Sequence, residues 1–374
     1  MLFSVAVLFN SHHTTMNVLR IILFPFACIY GLVMAFRGKL FDWKILPSES
    51  FPISVISVGN LSYGGTGKTP MVEYLIRLLG KDRKVATLSR GYKRNTKGYV
   101  LANKKSTFEE IGDEPLQYKT KFKDIEVAVH ERRRKGIKKL LKNFPDLDVV
   151  LLDDAYQHRY VKPGFSILLT DFHKLFVNDY LIPSGTLREF RSASKRADII
   201  IVTKVPGVLS PITRRRITSL IKPRIHQKLL FSYISYGKPI PICKKNEGLL
   251  KERYNTILLF SGVANSYPLQ EHLRSMCHEL HVMDFMDHHK YTLHDLEKIK
   301  SNFDNMFTRN KIIFTTEKDA MRLDKSVLSE VIKDMPVFYI PIKFEFCNGD
   351  SIIFDDQIRE NVEKDTGNQQ FSEA

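Results

Sequence analysis

Residues 53–80 read ISVISVGNLSYGGTGKTPMVEYLIRLLG. The stretch is an apolar run, a glycine-rich turn ending in Gly67-Lys68-Thr69, and a segment whose apolar residues return at three and four positions. Strand, glycine turn and helix in that order make a phosphate cradle. Glycines without side chains let backbone N–H groups converge on phosphate oxygens, and the start of a helix adds about half a unit of positive charge. Ser62, Tyr63, Gly64, Gly65, Thr66, Gly67, Lys68 and Thr69 are therefore the candidate ATP-binding residues, with Lys68 reaching the β/γ-phosphates and Thr69 an Mg²⁺ ion. The strict pattern has glycine five places before Gly67, where this chain has Ser62. Context compensates for the mismatch. Ile53, Val55, Ile56 and Val58 supply a buried strand, while Met71, Val72, Leu75, Ile76, Leu78 and Leu79 supply a helix stripe that tolerates Pro70 in its first turn.

A chain of 374 residues exceeds what one core usually serves, so two domains are expected. Its 57 Lys and Arg against 41 Asp and Glu leave a net charge of +16, which suits an anionic partner: acidic lipid, a phosphorylated substrate or nucleic acid. Composition alone does not choose among them. The basic clusters Arg132-Arg133-Arg134-Lys135, Lys138-Lys139 and Arg214-Arg215-Arg216 have no aromatic platform for a single strand, and no nucleic-acid partner is expected. Solvated helix faces are the plainer reading of each cluster. Cys28, Cys243, Cys277 and Cys347 are far apart with no CxxC pair, which fits ordinary thiols in a reducing cytosol.

Near the N-terminus, Ile21 to Phe36 (IILFPFACIYGLVMAF) is uncharged and mostly apolar. Sixteen residues of helix span ~24 Å, short of a ~30 Å hydrocarbon core. The expectation is a membrane-inserted or interfacial helix, with Arg20, Arg37, Lys39 and Lys44 meeting lipid phosphates and Tyr30 and Trp43 at the interface; a buried core helix is the alternative. Met1 to Asn10 has no basic start and no cleavage site follows, which disfavours a signal peptide. Met16 precedes the apolar run, and residues 1–15 are expected to be an over-extended start.

Further along, Lys84 to Leu88 reads as a second strand ending in Ser89-Arg90-Gly91-Tyr92, and Ile111-Gly112-Asp113-Glu114-Pro115 opens a helix, where helix capping is the plain role for the two carboxylates. In LDVVLLDDAYQHRY, residues 147–160, a buried strand delivers Asp153 and Asp154 where a phosphate-loop protein keeps its Mg²⁺-side carboxylate, and Gln157, His158 and Arg159 follow at once. Strands are expected at 165–170 and 199–203, with the loop LIPSGTLREFR at 181–191. From about residue 225 the α/β pattern restarts, with strands at 256–260 and 311–314 and the segment FMDHHKY between them. Adjacent His288 and His289 point different ways and have no third ligand at zinc spacing, so a metal reading is disfavoured. From about Arg359 the tail is polar and expected to be disordered.

Taken together, NLSYGGTGKTP, SRGY, GDEP, DDAYQHR, LIPSGTLRE, DHH and TEKDA, in this order, resemble the tetraacyldisaccharide 4′-kinase family over most of the chain, to about Leu323. The resemblance implies an α/β fold: a P-loop NTPase-like α/β/α domain plus a second, smaller α/β/α domain, preceded by a membrane-associated helix, with the active site between the domains. The corresponding boundaries are 16–43 for the helix, 44–224 for the phosphate-loop domain, 225–358 for the second domain and 359–374 for the tail.

It also implies transfer of the ATP γ-phosphate to the 4′-hydroxyl of a tetraacylated glucosamine disaccharide 1-phosphate, giving lipid IVA in lipid A biosynthesis, at the cytoplasmic face of a Gram-negative inner membrane. The implied partners are that lipid A precursor and the anionic membrane surface, with ATP and Mg²⁺ as substrate and cofactor. Carried over, Lys68 and Thr69 keep their roles and Asp113 becomes the catalytic base. A histidine of the second domain assists it, matched best by His288 with His289 as rival. Lying on two domains, Asp113 and His288 would be brought together by closure. Glu114, Asp153 and Asp154 join Thr69 as candidates for Mg²⁺, and Arg90, Gln157, His158, Arg159 and Arg188 are candidates for the disaccharide and its 1-phosphate. This chain departs from the family in having Ala155-Tyr156 where Gly-Leu is common. A soluble phosphate-loop phosphotransferase or NTPase and a membrane-bound nucleotide sensor without turnover stand as alternatives.

Overall fold

The computed structural model describes the chain from Leu2 to Leu323 and from Ser329 to Ser372, and the side chains of residues 20–243, 245–323 and 331–365. It divides into two compact units, one of residues 1–89, 132–233 and 345–374, the other of residues 90–131 and 234–344. The chain therefore changes unit more often than the contiguous blocks 44–224 and 225–358 expected from sequence. Residues 90–131 join the second unit because their helix, Asp113–Lys121, is tied there by Lys121, whose ammonium lies 2.8 Å from Glu317 of the helix Glu317–Arg322.

In the first unit six strands run parallel in the order Lys228–Tyr236, Ile199–Thr203, Phe165–Asp171, Ser54–Asn60, Val149–Asp153 and Val85–Ser89. The strand leading into the glycine loop is central and wholly buried. Such continuous apolar runs are what a parallel sheet covered on both faces demands. Helix Lys68–Leu79 buries Met71, Val72, Leu75, Ile76 and Leu79 of the stripe read from its periodicity, with Leu78 half-buried at its margin.

Two terminal helices depart from expectation. The N-terminal helix runs Leu2–Asp42, through Pro25, well beyond the sixteen-residue apolar run. Its stretch Arg20–Asp42 is 23 residues, about 35 Å of helix, long and apolar enough to cross a membrane. Among the described side chains of this helix only a narrow stripe including Ala27 and Phe41 is buried, while Ile21, Phe24, Ile29, Leu32, Val33 and Phe36 are exposed. At the other end, the tail expected to be disordered from residue 359 is helical as far as Ser372, in Asp350–Ser372, with Glu373 and Ala374 outside the described residues. Phe354, Ile358 and Val362 are buried at four-residue intervals, and the Phe354 ring meets those of Tyr74 and Phe346. Polar residues outnumber that stripe, which conceals it in the sequence.

The second unit holds a five-stranded sheet in the order Cys277–Asp284, Tyr254–Ser261, Lys311–Thr316, Val337–Ile340 and Ile240–Pro241, antiparallel only at the last pair. Strand periodicity splits its apolar residues between two faces. Leu258 and Phe260 pack with Leu296, Ile299 and Phe303, whereas Ile257 and Leu259 pack with Leu273, Phe314 and Phe338.

Candidate active site

Around the glycine loop, Gly67 has φ +87°, a left-handed conformation that glycine takes without strain, and it turns the chain into the helix beginning at Lys68. A Cβ on Gly64 or Gly65 would meet nothing within 4 Å, so the loop faces open space on that side. The cradle is braced from below. Asn60, at the end of the central strand, donates through Nδ2 to Thr66 Oγ1 at 2.9 Å and accepts at Oδ1 from Lys68 Nζ at 3.5 Å. Thr203 Oγ1 donates to the Thr66 carbonyl at 2.8 Å, and Lys204 Nζ donates to the Gly65 carbonyl.

Parallel pairing puts Asp153 opposite Val58, beside the strand that feeds the loop. The next residue, Asp154, takes φ +46° and lies 3.7 Å from Lys68 Nζ and 2.8 Å from Arg188 Nη2. Burial works to raise its pKa, but the charge of Lys68, the hydrogen bond and charge of Arg188, and the charge of Arg133 hold it down at about 2. Gln157 Nε2 donates to the Asn60 carbonyl at 2.8 Å, so Lys68, Asp154, Gln157 and Arg188 all converge on Asn60 or its neighbours. Thr69, Asp153 and Asp154 offer the hydroxyl and carboxylate oxygens that Mg²⁺ favours.

Not every candidate joins that cluster. Arg159 donates instead to the Gly38 carbonyl at 2.9 Å and to Asp42 Oδ1 at 2.8 Å, holding the N-terminal helix. His158 Nε2 accepts the backbone N–H of Arg133 at 3.3 Å. Tyr156, the departure from the family pattern, is a core residue whose hydroxyl donates to the Ala193 carbonyl at 2.7 Å; its Cβ would be 2.7 Å from a Cβ on Gly59, so glycine is required there. Two of the basic clusters also turn inward in part. Arg133 is buried and donates to the Asp153 carbonyl at 3.1 Å, and Arg214 forms a two-pronged pair with Asp350.

A second group of side chains gathers in the other unit, at the carboxyl ends of three adjacent parallel strands. Gly262 follows Tyr254–Ser261, His288 follows Cys277–Asp284, and Asp319 and Arg322 lie on the helix after Lys311–Thr316. Asp113 opens the helix Asp113–Lys121 and is 5% exposed. Its Oδ2 is 3.1 Å from His288 Nδ1, and both residues belong to this one unit. The expectation that they lie on separate domains and meet only on closure is thereby corrected. The physical reason is that residues 90–131 fold with 234–344. Burial opposes the charge on Asp113, but the hydrogen bond to His288, the charge of Lys318, a hydrogen bond to Glu114 and the charge of Arg322 hold its carboxyl well below the ordinary range.

His288 takes φ +60°, uncommon for a residue with a side chain, and its N–H donates to the Gly262 carbonyl at 3.0 Å. Its ring meets that of Tyr92 edge-on, with centroids 5.2 Å apart. His289 is spoken for elsewhere: its Nε2 is 3.0 Å from Asp295, within the capping box of helix Leu293–Asp304, and its ring stacks on Phe285. Glu114, a candidate for Mg²⁺, is paired with Lys318 at 2.8 Å and belongs to a different unit from Thr69, Asp153 and Asp154. Arg90 is exposed. Asn60 and Arg322 were missed by the sequence reading. Asn60 ends a strand immediately before the loop, and Arg322 stands two residues after the TEKDA motif, so position relative to a motif was the only available signal.

Comparison with known proteins places this geometry in context. A family model described as tetraacyldisaccharide-1-P 4′-kinase matches residues 19–363. Among similar proteins, the tetraacyldisaccharide 4′-kinase of Bacteroides thetaiotaomicron is 46% identical over 94% of this chain and 95% of its own, and that of Flavobacterium psychrophilum is 44% identical over 94% and 100%. A crystal structure of LpxK from Aquifex aeolicus in complex with ATP superposes with a TM-score of 0.70 at 28% identity, covering 92% of this chain and 99% of that one.

Proposed function

The chain belongs to the tetraacyldisaccharide-1-P 4′-kinase family, and from that premise we propose that it transfers the γ-phosphate of ATP to the 4′-hydroxyl of a tetraacyldisaccharide 1-phosphate, yielding lipid IVA for lipid A. The observation that carries this reading is that a chain with a braced phosphate cradle in one unit also holds a preformed Asp113–His288 pair in its other unit. A sugar hydroxyl is a poor nucleophile, and a nearby base must take its proton as the new bond to phosphorus forms.

In this reading Lys68 and the loop N–H groups bind the ATP phosphates, and the helix start at Lys68 favours their negative charge. Thr69, Asp153 and Asp154 would hold Mg²⁺, which when bound neutralises charge on the phosphates. Arg188, kept in place by Asp154 and Asn60, orients anionic groups at the same loop. Gln157, His158 and Arg90 are assigned to the disaccharide, and Arg159 to anchoring the N-terminal helix. The Asp113–His288 pair receives the hydroxyl proton.

The substrate is a lipid, and the exposed apolar residues of the N-terminal helix suit contact with the anionic cytoplasmic face of a Gram-negative inner membrane. An in-plane helix is favoured over a spanning one. Its middle is tied to the protein: Tyr30 donates to the Arg188 carbonyl at 2.9 Å, and a Cβ on Gly31 would collide with Leu181 and Phe190. A helix crossing lipid would lose those contacts.

The test is to incubate the detergent-solubilised full chain with Mg²⁺, γ-labelled ATP and tetraacyldisaccharide 1-phosphate. Label in the lipid is the expected result. Bound ATP with no labelled lipid would overturn the reading in favour of a nucleotide sensor or another acceptor.

A further inference from the structure

Arg322 has no assigned role above, yet it touches both members of the proton-accepting pair. The guanidinium is 3% exposed. Its Nη2 and Nε donate to Asp113 Oδ2 at 2.7 and 3.2 Å, and Nη2 lies 3.2 Å from His288 Nδ1. On its far side Nη1 donates to Asp319 Oδ1 at 2.9 Å and to the Gly262 carbonyl at 2.8 Å. Gly262 in turn accepts the backbone N–H of His288 and donates to Asp319 Oδ2 at 3.1 Å. One side chain thus ties together the carboxylate, the imidazole and the backbone beneath the imidazole.

A guanidinium has five donors and no acceptor, so toward Nδ1 it can only donate. Nδ1 therefore has two satisfied states: protonated, it donates to Asp113 Oδ2; bare, it accepts from Arg322. In the first state Nε2 carries the free lone pair. The carboxylate favours that state, since Nδ1–H bonded to a negative oxygen is the stronger contact. Asp113 is the buried member of the pair, at 5% exposure, and His288 the more open one, at 19%. Of the other charged groups nearby, Lys318 is engaged with Glu114, while Asp287 stands 3.9 Å from Nε2.

We propose that Arg322 is a positioning residue for phosphoryl transfer, fixing Asp113 Oδ2 and bracketing His288 Nδ1 so that the imidazole presents Nε2 to the substrate hydroxyl. This rests on the kinase reading above and deepens it by naming the side chain that holds the proton-accepting pair in place. As the hydroxyl oxygen forms its bond to the γ-phosphorus, its proton passes to Nε2. The bond from phosphorus to the β,γ-bridging oxygen breaks, and its electron pair leaves with ADP. Asp113 stays ionised opposite the new imidazolium, an arrangement of carboxylate behind imidazole familiar from hydrolytic triads. Lysine would not substitute, because one ammonium cannot reproduce a planar fork that serves Asp113, Asp319 and the Gly262 carbonyl together.

The experiment compares the full-length parent with Arg322→Lys and Arg322→Gln in detergent, measuring kcat and KM for ATP and lipid. It is run beside ¹⁵N spectra of histidine-labelled protein, with His288 assigned from His288→Gln. Both arginine variants are expected to lose about 10²-fold in kcat, the low end for a disabled general base, with KM for ATP changed by less than about threefold. The parent spectrum should show His288 protonated at Nδ1 and bare at Nε2, and Arg322→Gln should show a mixture. Rescue of kcat by lysine, or a parent imidazole protonated at Nε2, would overturn the proposal. Thermal melting identifies a variant that has not folded; should the glutamine variant fail, the lysine variant and the parent spectrum still decide. A parent that phosphorylates no disaccharide would defeat the kinase reading instead, while the parent tautomer would still be read without substrate.

Discussion

Asp113 and His288 are separated by 175 positions in the chain and by 3.1 Å in the fold, inside a single unit. The pair is thus built into the resting structure, held by the same helix and loop ends that form the second sheet's carboxyl edge. Asp113→Ala should lower kcat by about 10²–10⁴-fold, the range that general acid–base catalysis contributes, because it removes the carboxylate that holds and balances the proton-accepting imidazole of His288, and leave KM for ATP nearly unchanged, because the phosphate cradle lies in the other unit. Steady-state kinetics with both substrates varied would check this. A large rise in KM for ATP at intact kcat would contradict it.

The neighbouring histidine provides the control. His289→Gln removes a partner of Asp295 and a ring stacked on Phe285, so it should cost about 1 kcal/mol of stability and leave kcat near the parent value. Urea unfolding and the kinase assay on the same preparation separate the two effects. A kcat collapse to the level of His288→Gln would show that the wrong histidine has been assigned.

Lys68→Ala should damage both kcat and KM for ATP, since its charge serves the bound phosphates and the transition state alike. Titration with a fluorescent ATP analogue, alongside turnover, measures the binding share directly. Activity equal to the parent in both terms would remove Lys68 from the site.

Acid sensitivity has a specific contributor away from the chemistry. Burial would raise the Glu131 carboxyl, but backbone N–H groups, Arg94 and Gly98 pull it down to about 2, from an ordinary value of about 4.3. A depressed carboxyl contributes stability that is complete above its unfolded value and is lost as pH falls toward the folded one. Glu131→Gln should therefore be less stable than the parent at pH 7, and the gap should close between about pH 4.3 and pH 2. Unfolding curves across that range test it, and a gap independent of pH would refute it.

Phe354→Ala addresses the C-terminal helix. Phe354 is fully buried against Tyr74 and Phe346, so truncation should cost about 3–5 kcal/mol, as for other buried aromatics. A change within about 0.5 kcal/mol, the range of ordinary surface substitutions, would mean that the helix does not close the first unit's core.

By itself the sequence determined the elements whose signals are local. The strand, glycine turn and helix of 53–80 are legible because phosphate binding needs glycine conformations, a helix start and Lys68-Thr69 within one short segment. The strands ending at Asp153 and Thr203 are legible because buried parallel strands are unbroken apolar runs. Motif order carried the family. Tertiary structure alone decided what depends on contacts between distant segments. Residues 90–131 carry no composition change that announces their unit, and the sparse stripe Phe354, Ile358 and Val362 becomes a signal only when an apolar surface receives it. Which of two adjacent histidines faces Asp113 follows from the turn after a strand, where His288 takes a left-handed backbone and His289 turns to Asp295. Arg322 gains its place because three parallel strands end side by side, a proximity set by sheet pairing and invisible in linear order.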